Sequence, residues 1–158
     1  MKKLFLSAIF LSICLYSCKK DVSLQDETYV TKIYTSSSLP IVKVQVNGVD
    51  KFLLLDTGAS FTSLHTETIK QVGGVVGDLA PINAEGFGGS ENKLFNAHKV
   101  KLKLGDTFLK TTIYAKDYTR IKEVIYQDDH IEIDGILGND IISKNNFILN
   151  FKDNTITR

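Results

Sequence analysis

The stretch KFLLLDTGASFTSL, Lys51 to Leu64, constrains this chain most, because four apolar residues run directly into a carboxylate. Phe52, Leu53, Leu54 and Leu55 are apolar at every position, the pattern of a strand covered on both faces. A carboxylate closing such a strand is costly unless it is hydrogen-bonded or chemically employed. Asp56 is followed by Thr57, whose hydroxyl can bond backbone, and by Gly58, which lets the chain turn sharply. A turn satisfied by the Asp56 and Thr57 side chains is one reading of these residues, and a reactive acid at a strand end is the other.

The surrounding chain reads as mainly β. Thr28 to Thr35 alternates with β-branched and aromatic residues, and Val42, Val44 and Val46 share one face against Lys43 and Gln45 on the other. Asn47-Gly48 between two apolar runs predicts a hairpin, since both turn positions accept positive φ. TETIKQV predicts a short helix closed by Gly73-Gly74. Beyond it, strands are expected around turns at Gly86 to Asn92 and at Gly105-Asp106, with TFLKTTIYA as one strand. DYTRIKEVIYQ fits a short helix or an irregular segment equally well. IEIDGILG reads as a strand, NDIISKN as a short helix, and FILNF with TITR as a closing hairpin. With 158 residues and 43% hydrophobic composition, one core is affordable and two domains are not. The expectation is a single small β-barrel or sandwich with two or three short helices.

The N-terminus is of another kind. Lys2 and Lys3 precede an apolar run from Leu4 to Leu15, too short to span a bilayer and placed where a secretory signal belongs. It ends in LYSC, which resembles a bacterial lipobox with Cys18 as the lipidated residue; an ordinary signal peptide with Cys18 incidental is the alternative. The expected organisation is a signal peptide over 1–17, lipidated Cys18 with a tether over 18–27, and a folded domain over 28–158. The protein is then exported and lipid-anchored to the bacterial cell envelope, at the outer membrane. Cys14 and Cys18 are the only cysteines, so the domain is expected to hold no disulfide and no cysteine metal site. His65, His98 and His130 lack ligand spacing and read as surface or structural residues, leaving no metal or other cofactor expected. A net charge of +1 gives no polyelectrolyte signal, and nucleic acid is excluded as a suggested partner.

Asp-Thr-Gly after an apolar strand is the signature of aspartic proteases, and LLLDTGAS resembles the retropepsin-like members of that group. Two further elements stand in the order this resemblance requires: a glycine-rich INAEGFGGSENK where a flap hairpin belongs, and the apolar-apolar-Gly of DGILGNDII. The resemblance runs from about Lys43 to Phe151 and implies a closed acid-protease β-barrel. It assigns Asp56, Thr57 and Gly58 to catalysis. It assigns Ala59, Gly86, Phe87, Gly88, Gly89, Ile136, Leu137 and Gly138 to substrate contact. Thr57 would lock two such loops together, and Gly58 would let the backbone approach.

The chemistry implied needs two carboxylates sharing one proton, and the chain has one Asp-Thr-Gly. A homodimer with one Asp56 per subunit is therefore expected, acting on a polypeptide substrate from a membrane-anchored position. An in-chain second acid from Asp134 or Asp140 is the weaker alternative. Ala59 offers no hydroxyl to the carboxylate, which predicts a less acidic pair and a working pH above pepsin-like values. The competing function is a catalytically silent lipoprotein of the same fold that binds peptide or a partner protein.

Overall fold

A computed structural model describes residues 28–36, 39–80, 82 and 93–158. The signal, tether and Cys18, and the flap residues Gly86, Phe87, Gly88 and Gly89, lie outside the described residues.

The chain opens with β1 (Tyr29–Ser36), β2 (Leu39–Val46) and β3 (Val49–Asp56), then β4 (Ser63–His65) and α1 (Thr66–Gln71). It continues through β5 (Val75–Leu79), β6 (Phe95–His98), β7 (Leu102–Leu104), β8 (Thr107–Leu109) and β9 (Tyr114–Lys116). The remainder is α2 (Thr119–Asp129), β10 (Gly135–Gly138), α3 (Asn139–Lys144), β11 (Ile148–Asn150) and β12 (Thr155–Thr157).

The hairpin at Asn47-Gly48 forms as its sequence predicts, with φ of 50° and 85° at the two turn residues. It sets β2 against β3 from Val46↔Val49 to Ile41↔Leu54. The Asn47 amide then ties the turn to distant segments, its Nδ2 donating to the carbonyls of Val72 and Lys99. Because strand side chains alternate, β3 divides its apolar run between two sides. Leu53 and Leu55 enter the main core with Val42, Val44 and Val46 of β2, Leu64 and Leu137. Phe52 and Leu54 pack on the other side against a second cluster of Ile41, Ile125 and Ile133. The strand is covered on both faces, as its composition implies.

The strand order is β11-β12-β1-β2-β3-β10-β4-β9-β6-β5, with β7 attached to β2 and β8 to β7. The fold is mainly β, as expected, but the closed barrel expected from the sequence does not form: among the described residues the path ends at β11 and β5, which do not pair. The physical reason is that, among the described residues, β11 and β5 each make one ladder only, to β12 and β6. Three segments also differ from their sequence reading. TFLKTTIYA is two strands, because β8 folds back on β7 while β9 joins β4 and β6. IEIDGILG contributes only Gly135–Gly138 to the sheet, and the ambiguous DYTRIKEVIYQ contains the helix α2.

Candidate active site

Asp56 is placed by register. β10 runs parallel to β3 with Gly138 beside Asp56 and Ile136 beside Leu54. β4 runs antiparallel to β10 with Ser63 beside Ile136. Paired residues share a face, so Asp56, Leu54, Ile136 and Ser63 point to one side of the sheet. Leu137 points the other way, into the main core.

The loop after Asp56 is fastened at each step. The Gly58 N–H donates to Asp56 Oδ1 at 2.8 Å, and the Ala59 N–H donates to the Asp56 carbonyl at 3.2 Å. The Ala59 carbonyl accepts from the Asn139 N–H at 2.8 Å, joining the loop to the start of α3. Beneath it, the Gly138 N–H donates to Thr62 Oγ1 at 2.9 Å. Thr62 Oγ1 donates to Asp140 Oδ1 at 2.7 Å, and Thr111 Oγ1 donates to Asp140 Oδ2 at 2.6 Å. Thr62 is fully buried, so this network satisfies a hydroxyl that would otherwise be stranded.

Gly138 permits the close approach of the two segments. A Cβ there would stand 2.7 Å from the Phe61 carbonyl carbon and 2.9 Å from the Ala59 carbonyl oxygen, both backbone atoms. Gly138→Ala is expected to displace the Ala59–Phe61 backbone and cost about 1–3 kcal/mol of stability. Urea melts check it; a wild-type midpoint would contradict the packing described.

Thr57 and Gly58 are exposed, while Asp56, Ala59 and Ile136 are half-buried. One Asp56 oxygen is held by Gly58, and among the described residues Oδ2 has no hydrogen-bond partner. The turn reading is thus half right: the carboxylate does organise its turn, with one oxygen to spare. The two alternative acids are committed elsewhere. Asp140 is bound by two threonine hydroxyls. Asp134 is buried, with Oδ1 accepting from Thr68 Oγ1 at 2.8 Å and facing Lys51 Nζ at 3.2 Å, and Oδ2 accepting from the Phe52 N–H at 3.1 Å. It sits just before β10 beside Phe52, which is four residues before Asp56 on β3, roughly 13 Å along that strand.

Two residues join the site's surroundings that the sequence did not single out for it. Tyr118 is buried, its hydroxyl 2.6 Å from Ser63 Oγ, and its N–H donates to His65 Nδ1 at 3.0 Å. Burial pushes the Tyr118 phenol above its ordinary pKa and the Asp56 charge adds to this, against the opposing Ser63 hydrogen bond. His65 is 7% exposed and structural, with the Nε2–H tautomer implied by the acceptor role of Nδ1. Among the described residues no group of three or more His, Cys, Asp or Glu is placed to hold a metal.

The family model described as Aspartyl protease matches residues 42–141, a span containing the Asp56 loop, Gly138 and Asp140. The retroviral protease-like domain of Ddi1 from Leishmania major superposes with a TM-score of 0.51 at 16% identity, covering 82% of this chain and 87% of that domain. The EIAV protease in complex with the inhibitor HBY-793 is 24% identical with a TM-score of 0.46, covering 72% of this chain and 93% of its own. No sequence among the curated proteins matches the chain.

Proposed function

Because the chain belongs to the aspartyl protease family, we propose that it is an endopeptidase whose water is activated between two Asp56 carboxylates, one from each subunit of a homodimer. The observation that carries this is the loop at half-buried Asp56 and exposed Thr57 and Gly58, fastened through the Ala59 carbonyl to the Asn139 N–H and keeping one carboxylate oxygen unpaired among the described residues. The dimer is supported by the commitment of Asp134 and Asp140 to other contacts. In the dimer the ionised carboxylate takes a proton from water as it attacks the scissile carbonyl. The protonated carboxyl polarises that carbonyl, and proton transfer then releases the amine. The substrate lies as an extended strand in the cleft. Lipidation at Cys18 holds the enzyme on the bacterial envelope, on the outer membrane, with the 18–27 tether as its leash.

The test is a peptide-library digest by the detergent-solubilised full chain from pH 4 to 8 at several protein concentrations. Activity rising faster than linearly with protein, and a rate optimum well above about pH 2, are the expected results. An optimum at pepsin-like acidity would contradict the role given to Ala59. A chain that stays monomeric while active would contradict the shared site. A folded dimer that binds peptide without cleaving it would mark the catalytically silent alternative.

A further inference from the structure

Positive charge gathers at the turn end of the β2–β3 hairpin. Asn47 pins the segment before β7 there: its Nδ2 donates to the Lys99 carbonyl at 2.8 Å, its Oδ1 accepts from the Lys101 N–H at 2.8 Å, and its own N–H donates to the Lys101 carbonyl at 2.9 Å. Register adds the rest. Lys103 of β7 pairs with Gln45 of β2, and Phe108 of β8 pairs with Lys103, so the three side chains share one face, opposite the buried Leu102, Leu104 and Leu109. Gln45, Lys99, Lys101, Lys103 and Phe108 accordingly line one groove.

Most of this charge has no counterion in the domain. Lys103 reaches Asp106 at 3.1 Å, but Lys99 and Lys101 are exposed and form no ion pair among the described residues. Asp50, two residues past the turn, is already held by Lys43 at 3.1 Å. Phe108 is 67% exposed, with the Lys103 ammonium 5.9 Å from its ring centroid. An open aromatic ring among cations matches a surface with negative charge outside and hydrocarbon beneath, which is what an anionic phospholipid bilayer offers.

The fold turns this face toward the chain's own N-terminal attachment. Thr28, Tyr29 and Val30 line a cavity with Asp106 and Thr107 on the other side of the β7–β8 hairpin, and the turn packs so tightly on β1 that a Cβ at Gly105 would collide with the Val30 carbonyl oxygen. Residues 1–27 therefore join the domain beside the hairpin that carries Lys103 and Phe108. A tether of about ten residues, Cys18 to Thr28, reaches roughly 30 Å at full extension, enough to let the face lie on the lipid. Asp56 is at the far end of β3, whose eight residues start beside the turn and carry the acid roughly 25 Å from it.

Resting on the lipid-anchored reading above, we infer that Lys99, Lys101, Lys103 and Phe108 form a membrane-docking face that seats the domain on an anionic phospholipid surface and holds Asp56 away from it.

The test places the full chain, purified from bacterial membranes in detergent, in vesicles of phosphatidylcholine alone or mixed with phosphatidylglycerol. A water-soluble amine reagent followed by peptide mass spectrometry reads each lysine. Lys99, Lys101 and Lys103 are expected to react at least about fivefold more slowly on the anionic vesicles, while Lys70 of α1 and Lys144 of α3 react equally on both. Salt at about 0.5 M should remove the difference. Lys99→Gln with Lys101→Gln should lower the ratio of docked to free domain about 25-fold, about fivefold for each charge, and return Lys103 to its rate on neutral vesicles. The chain has no tryptophan, so Phe108→Trp reports this site alone, and its emission should move to shorter wavelength on anionic vesicles only. Equal lysine rates and unshifted emission, with the chain still retained on vesicles in salt, would overturn the docking face and leave the anchor standing. A chain that carries no lipid mass and leaves the vesicles in salt would overturn the anchor. Sedimentation with phosphatidylglycerol vesicles that the double glutamine variant loses would still uphold docking in that case, and sedimentation indifferent to phosphatidylglycerol would overturn it. Lysine protection that rises with protein concentration in detergent alone would mark a contact between copies and overturn the membrane assignment.

Discussion

Asp56→Asn is expected to lower peptide hydrolysis by about 10³-fold, the scale of losing a positioned acid–base group, while leaving the fold intact. The carboxamide keeps an oxygen for the Gly58 N–H, so the one hydrogen bond that Asp56 makes to its own loop survives. The side chain is half-buried at a strand end, where substitution moves stability by only about 0.5 kcal/mol. What should disappear is the ability of the proposed pair to hold one negative charge and one transferable proton. Steady-state rates of purified wild type and variant, with urea melts beside them, separate the two effects. Retention of more than a tenth of the wild-type rate would remove Asp56 from the chemistry. Titrating wild type with an excess of the variant adds a second readout: mixed dimers contain one acid, so activity should fall as they form.

The largest stability effect is expected at Asp134. Asp134→Ala removes an acceptor from Lys51, Thr68 and the Phe52 N–H at once and strands the Lys51 ammonium, which is only 17% exposed. Breaking a buried pair in this way costs about 3–5 kcal/mol, or roughly 10 °C in melting temperature for a chain of this size. Asp134→Asn keeps the hydrogen-bonding shape and loses the charge, so it should fall between. Pairing Asp134→Leu with Lys51→Met removes both charges and should recover much of the loss. Denaturation midpoints of the four proteins decide this. Below their melting range the three variants should hydrolyse peptide near the wild-type rate. An Asp134→Asn protein that melts like wild type but is as inactive as Asp56→Asn would make Asp134 the second acid instead.

Features written in neighbouring residues were legible in the sequence. Asn47-Gly48 carries its own turn geometry, and Asp56-Thr57-Gly58 carries both the loop and the carboxylate. The short helices at Thr66–Gln71 and Asn139–Lys144 are likewise marked by local pattern. Features made by distant residues were not legible. Asp140 looks like any helix-start aspartate until the fold brings Thr62 and Thr111 to it. The helix α2 was ambiguous because Ile121, Val124 and Ile125 give a weak apolar stripe, and only contact with Ile41 and Ile133 turns one of the three inward. The open ends of the sheet were hidden for a related reason: strand patterns reveal which faces are apolar but not which edges meet.

The latch under the Asp56 loop bears on how the protein comes apart. The Gly138 and Asn139 amides, the Ala59 carbonyl and the Thr62 hydroxyl bind the loop to β10 and α3, and Leu137 roots β10 in the main core. The loop after Asp56 is therefore expected to open together with β10 and α3 rather than alone, and its amide protection should follow theirs.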